Sequence, residues 1–313
     1  MFLNNNCYLY LYMGVDLKMK NQIFAFLCTI IIIGIPIVTG DISNNLQEIE
    51  NVSIDDNTPI WELGDFWTYD INRFQANFSA TGAIIGIDST LDDLTMEVIG
   101  YSESSYILGL SGRIKGYFEY ESGEGIVLKG NLLFTKLSGN MYIRQNDLSN
   151  EKVNIVINGI VVLSRHPLQI PIPIPIPLTI TINVNQDIPR SIIDFPLYNG
   201  KQGLINETVI SADIRFESVF LRILSLFFAD VPSDIYYEES FNIPMFDYSA
   251  NTENISVEAG VFDTYKIQFG QGLVGSIFYA PSVGNLVKSE IVIEMTDQFM
   301  VLLIGELRSF NYQ

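Results

Sequence analysis

The sequence predicts a mainly β chain, built of antiparallel sheet in two related units. Three observations carry this. Between Glu258 and Glu294, Val261, Asp263, Tyr265 and Ile267 alternate with Phe262, Thr264, Lys266 and Gln268, the period-two pattern of a strand. Ile291, Ile293 and Met295 alternate in the same way with Glu290, Glu294 and Thr296, one face apolar and one polar. The intervening Tyr279-Ala280-Pro281-Ser282-Val283-Gly284-Asn285 has the residues of a tight corner: Pro presets φ, and Gly or Asn accepts φ > 0. The duplication rests on an offset of 136 residues. Aligning Lys152 with Lys288 places Asn154–Asn158 on Glu290–Glu294 without a gap, and Tyr142-Ile143 on Phe278-Tyr279.

In chain order, residues 1–40 read as a signal peptide or an N-terminal membrane anchor. Lys20 precedes the apolar run Ile23–Val38, and Val38-Thr39-Gly40 is compact where a signal peptidase would cut. The run is close to the minimum length for a spanning helix, so both readings stand, with Met1 or Met19 as the start. Either way the remainder is expected outside the cytoplasm, extracellular or in the cell envelope. Residues 41–58 are rich in Asn, Asp, Glu and Ser and read as a flexible tether. Asn51, Asn77, Asn206 and Asn254 each begin an N-x-[ST] acceptor sequence, which fits a glycosylated exported protein.

The first β unit spans 59–165. Trp61 to Asn72 is its first strand, with Trp61, Trp67 and Phe74 expected in the core rather than on a carbohydrate-stacking surface. Short strands follow at 83–88, 93–99, 105–110, 113–120, 125–136 and 139–145. Gly100, Ser111-Gly112, Gly123 and Ser138-Gly139 are read as the breaks between them. Residues 166–184 form a Pro/Ile-rich connector. Within Pro167–Pro177, Pro at alternate positions from Pro171 onward removes N–H donors and excludes a helix or a central strand, so this stretch is extended, packing on a surface or a sheet edge. Leu178–Val184 returns to strand. The second β unit spans 185–313, with a turn region at 190–203, a strand at Glu207–Glu217 and a final strand within Phe299–Tyr312. Between them Phe220–Phe228 breaks the alternation and reads as a short apolar helix.

Composition narrows function. A hydrophobic content of 48% can fill a core, so global disorder is excluded. A formal charge of −19 repels nucleic acid, so no nucleic-acid partner is expected. The two cysteines, Cys7 and Cys28, precede residue 40, and His166 is the single histidine, a loop residue opening the connector. That leaves no cysteine or histidine cluster for a metal. Asp92-Asp93 and Glu238-Glu239 are adjacent carboxylates, which on a strand point to opposite faces and make poor acid/base pairs. No nucleophile elbow or phosphate loop is present, and the Gly-rich stretch 270–275 lies between two strands rather than opening a helix as a dinucleotide fingerprint does. The chain is therefore read as non-enzymatic, with no catalytic residue, metal or cofactor.

Three motifs carry a resemblance. They are Trp61, Gly64, Asp65, Trp67 and Tyr69; Phe195, Pro196, Leu197, Gly200 and Lys201; and Ala259, Gly260, Phe262, Asp263, Tyr265, Lys266 and Ile267 with Tyr279, Pro281, Gly284, Val287 and Lys288. Over about residues 59–313 the chain resembles exported archaeal and bacterial envelope proteins similar to the LolA/LppX-like group. It departs from their pattern at Gly203, where a Trp is common. The resemblance implies antiparallel sheets curved into a half-barrel, with one or a few short helices over the concave face. It implies no activity. On that fold, Phe220, Leu221, Leu224, Phe227 and Phe228 either pack in the core or lid a cavity for a lipid or other apolar ligand. The competing expectation is a structural or adhesion-type glycosylated envelope protein with a filled core. An uncleaved N-terminal segment would add the membrane as a partner.

Overall fold

A computed structural model of the chain describes residues 58–80, 83–121, 127–165, 174–219, 222, 226, 234–243, 245–270, 273–296 and 299–313. The protein is mainly β and antiparallel. Its strands are β1 (Phe66–Ala80), β2 (Ala83–Tyr101), β3 (Ser105–Glu121), β4 (Val127–Arg144), β5 (Asn150–Arg165), β6 (Ile174–Gln186), β7 (Lys201–Ile205), β8 (Thr208–Ser218), β9 (Asp234–Ile243), β10 (Phe246–Val257), β11 (Gly260–Phe269), β12 (Leu273–Ala280), β13 (Asn285–Thr296) and β14 (Phe299–Asn311). They form one sheet in the order β7-β10-β11-β12-β13-β14-β1-β2-β3-β4-β5-β6-β8-β9.

The chain itself joins the two ends of this order. Only Asn206 and Glu207 separate β7 from β8, and only residues 244–245 separate β9 from β10. Ile205 faces Phe246, and three residues further on Thr208 faces Ile243, so the pairing register carries through the break. β7 with β8, and β9 with β10, therefore act as two long strands of one ribbon. The ribbon pairs with β6 on one side and with β11 on the other. The sheet thus runs up and down around a closed ring, in which β14 returns to pair with β1. Closure removes most of the exposed edge that an open sheet of this width would carry.

The ring is complete only towards the base, the end that holds the turns at 101–105, 144–150, 257–260 and 280–285. β11 stops at Phe269, opposite Tyr248, and β12 resumes at Leu273. The β9–β10 strand continues past that level to Asp234, and there β8 is the sole partner of β9 among the described residues. Beyond Ile293, β13 pairs with β14 alone. Among the described residues, no strand joins β9 to β13 at this level.

The base is packed solid. Trp67, Tyr69, Leu94, Met96, Leu108, Met141, Ile143, Leu148, Ile155 and Tyr279 are almost wholly buried, within a cluster fed by nearly every strand. Each such side chain contributes about 1.5–3 kcal/mol of transfer free energy. Trp61, Trp67 and Phe74 are buried core residues, as expected.

Several expected boundaries differ. Ser111-Gly112 and Ser138-Gly139 are not breaks but lie within β3 and β4, where Ser111 faces Ser138, Gly112 faces Leu137 and Gly139 faces Leu110. Glycine serves there for close approach: a Cβ on Gly139 would lie 2.1 Å from the Asn154 carbonyl oxygen, and one on Gly112 3.3 Å from Leu94 Cα. Residues 201–203, read as turn, belong to β7. Pro175 and Pro177 lie in β6, an interior strand, contrary to the exclusion drawn from their missing donors. They are tolerated because β8 pairs with β6 only from Leu178 onward, so among the described residues the proline-bearing end pairs with β5 alone and is locally a sheet edge. Within 219–228, Val219, Arg222 and Leu226 have helical backbone. Phe220, Leu221, Leu224, Phe227 and Phe228 lie outside the described residues, as do His166 and residues 1–57.

Candidate functional site

The motif residues at the base form a latch. Glu62 N–H donates to the Asp65 carboxylate, Asp65 N–H to the Glu62 carbonyl, and Val98 N–H to the Asp65 carbonyl, which fixes the turn before β1. Gly64 holds φ +92°, a conformation that disfavours side chains. The turn aims three aromatic donors at one corner. Trp61 Nε1 donates to Gly284 O at 2.9 Å, Trp67 Nε1 to Val283 O at 2.8 Å and the Tyr69 hydroxyl to Leu286 O at 2.9 Å. The first motif therefore recognises the backbone of the Pro281–Leu286 corner. Gly284 sits at φ +66°, where a Cβ would strike the Tyr312 ring.

The second motif makes a buried polar knot. Lys201 Nζ donates to Asp194 O at 2.6 Å and Pro196 O at 3.0 Å, and pairs with the Asp194 carboxylate at 2.9 Å. The Tyr248 hydroxyl donates to the same carboxylate at 2.7 Å. Burial, reinforced by that bond to Asp194, pushes the Tyr248 phenol well above its usual range. The expected aromatic missing at Gly203 is supplied across the strands. Tyr248 pairs with Gly203 and lays its ring over it, so close that a Cβ at Gly203 would overlap the ring.

Asp263 and Lys266 occupy opposite faces of β11. The Asn254 amide donates to Asp263, and Lys266 pairs with Glu253. Asp92 and Asp93, in contrast, do not diverge. Asp93 adopts φ 52° at an irregularity in the β2–β3 pairing, and both carboxylates meet outward-facing cations: Asp92 with Lys115, Asp93 with Arg113 and Arg308. They act as ion-pair partners of the outer wall. No group of three or more His, Cys, Asp or Glu suited to a metal occurs among the described residues.

Above the packed base, Phe74, Val161 and Leu178 continue the inward-facing apolar rows of β1, β5 and β6; Val161 and Leu178 are buried yet lie outside the main core cluster. They lie on the strand segments above the base. A groove of about 790 Å³ lies instead on the outer face of β2–β4, lined by Asp88, Arg113, Lys115, Tyr117, Leu133 and Lys136. Of the acceptor asparagines, Asn206 is exposed in the link between β7 and β8, and Asn254 is exposed on β10. Asn77 belongs to β1, and Asn51 lies outside the described residues. No described helix is long and apolar enough to cross a membrane.

Sequence reading identified the motif residues but not their partners. The carbonyls of Val283, Gly284 and Leu286 carry no side-chain signal. No protein family, curated protein or solved structure matches the chain.

Proposed function

We propose that this is an exported, non-enzymatic cell-surface protein whose upper half is a LolA-like half-barrel that takes a lipid or other apolar ligand. The observation that carries this reading is the contrast between the two ends of one sheet. The base is ringed and filled, while the wall above it is left unpaired between β9 and β13. In this reading the filled base is the floor of an apolar cup, the usual kind of place for a small ligand. In this reading Phe220, Leu221, Leu224, Phe227 and Phe228 lid the cup. The N-terminal segment exports the chain or anchors it, and the acidic surface keeps it off nucleic acid.

The test is uptake of a fluorescent fatty acid together with native mass spectrometry of the gently purified chain. A lipid-mass adduct, lost in Phe227→Asp, is the expected result. A clean mass with no uptake overturns it.

A second reading has its own observation. The base core is one continuous cluster fed by nearly every strand of the ring, as expected of a structural or adhesion-type glycosylated envelope protein. That reading predicts a clean mass and sugar on the exposed sequons.

A further inference from the structure

The β10–β11 hairpin outruns its neighbour. The last β11–β12 pair is Tyr265 with Tyr279, so among the described residues the β11 segment before Tyr265 pairs with β10 alone. One face of this hairpin changes chemistry along its length. The cross-strand pairs on it are Ala250 with Ile267, then Thr252 with Tyr265, then Asn254 with Asp263. Ala250 and Ile267 are fully buried, Tyr265 is half-buried, and Thr252, Asn254 and Asp263 are exposed. Where the core ends, Thr252, Asn254, Asp263 and Tyr265 of this face, with Glu253, Thr264 and Pro281, line an open cup of about 400 Å³.

The cup has ordered polar walls. Asn254 Nδ2 donates to Asp263 Oδ1 at 2.9 Å, which leaves the other carboxylate oxygen and the amide oxygen to solvent. Thr252 is held through its N–H and hydroxyl by Asn199 Oδ1, at 3.0 and 3.3 Å. Tyr265 and Pro281 supply apolar surface. A carboxylate accepts hydroxyl donors, an amide oxygen accepts another, and an aromatic face takes C–H surface. That combination suits a sugar ring, and the volume holds on the order of one or two of them. The Asp263 carboxylate, on a chain of formal charge −19, selects against anionic sugars. Asn254 also opens the acceptor sequence Asn254-Ile255-Ser256, so a sugar could enter the cup from the chain itself.

We propose that this cup at the base of the barrel is a seat for a neutral saccharide, with Asp263 and Asn254 as hydroxyl partners and Tyr265 as the stacking surface. The occupant is either a free sugar or the first residue of a glycan on Asn254. The site is separate from the upper cup, and loss of lipid binding there has no bearing on it.

The full chain is made in two hosts, one without N-glycosylation and one with it. For the unmodified chain, saturation-transfer NMR with a panel of neutral mono- and disaccharides is expected to show binding. Asp263→Ala should weaken it at least tenfold with unchanged thermal unfolding, and Tyr265→Ala should weaken it as much while the chain stays folded; Gln268→Ala, on the opposite face of β11, should leave it intact. Such binding identifies a free sugar as occupant. If the unmodified chain binds none but the glycosylated chain carries sugar on Asn254, with ring protons in NOE contact with Tyr265, the occupant is the chain's own glycan. The proposal is overturned if no free sugar binds and Asn254 is either unmodified or carries a glycan that makes no contact with Tyr265.

Discussion

Trp67 Nε1 donates to the carbonyl of Val283 at 2.8 Å, across 216 residues of sequence. With the matching bonds from Trp61 and Tyr69, it ties the start of β1 to the corner between β12 and β13, on the far side of β14. The first and last parts of the chain are fastened at the same place where β14 closes onto β1.

Removing any of these donors leaves a buried carbonyl unpaired. Trp67→Phe and Tyr69→Phe keep most of the ring packing and should each cost about 1–3 kcal/mol. Denaturation midpoints at constant m-value measure this. Losses below about 0.5 kcal/mol in both would mean the latch contributes only packing.

Lys201 is a buried cation whose charge is met by Asp194, with the carbonyls of Asp194 and Pro196 taking further donors. Removing one partner of such a pair costs about 3–5 kcal/mol when both are deeply buried. The Asp194 side chain is 35% exposed, so Lys201→Met is expected near the low end of that range. Asp194→Asn in the same background should cost much less than it does alone. An additive double mutant would show the two residues to be uncoupled.

Gly139→Ala should destabilise by more than about 2 kcal/mol, because the new Cβ meets the Asn154 carbonyl oxygen at 2.1 Å and neither strand can retreat. Gly64→Ala has open space around it and a φ of +92° as its only obstacle, so about 1–2 kcal/mol is expected. Thermal unfolding ranks the two, and the reverse order would contradict the tight β4–β5 approach.

Burial raises the phenols of Tyr69, Tyr248 and Tyr279 above their ordinary value of 10.0. In the unfolded chain they ionise near that ordinary value, so the unfolded state loses protons first as pH rises. The stability they contribute is complete below about pH 10 and declines above it. Thermal unfolding should hold steady to about pH 9 and then fall, with the tyrosinate absorbance of these residues appearing only as the fold is lost. A melting temperature unchanged up to about pH 11 would refute this.

Much of the fold was legible because strand periodicity is a local property. Val261 to Gln268 and Ile291 to Thr296 alternate regardless of what lies beside them, and both are strands. Strand breaks were misplaced at Ser111-Gly112 and Ser138-Gly139 because glycine marks a turn and a close strand approach with the same letter. Asp92 and Asp93 misled because period two presumes a regular strand, and the positive φ at Asp93 suspends it. At the candidate saccharide seat, Asp263 and Asn254 were singled out for separate reasons, a motif and a sequon, and nothing in their spacing set them opposite one another.

The sequence alone determined the β class, the antiparallel pairing, the position of the final strand and the burial of Trp61, Trp67 and Phe74, because each follows from local chemistry within a few residues. Only the tertiary structure decided that the sheet closes. Closure rests on the register carried from Ile205–Phe246 to Thr208–Ile243 and on β14 reaching β1, and a strand's pattern of side chains states which face is buried but not which neighbour it finds. The partners of Lys201 and the three carbonyls of the 281–286 corner were settled in the same way, by backbone groups that every residue carries and that only the fold can single out.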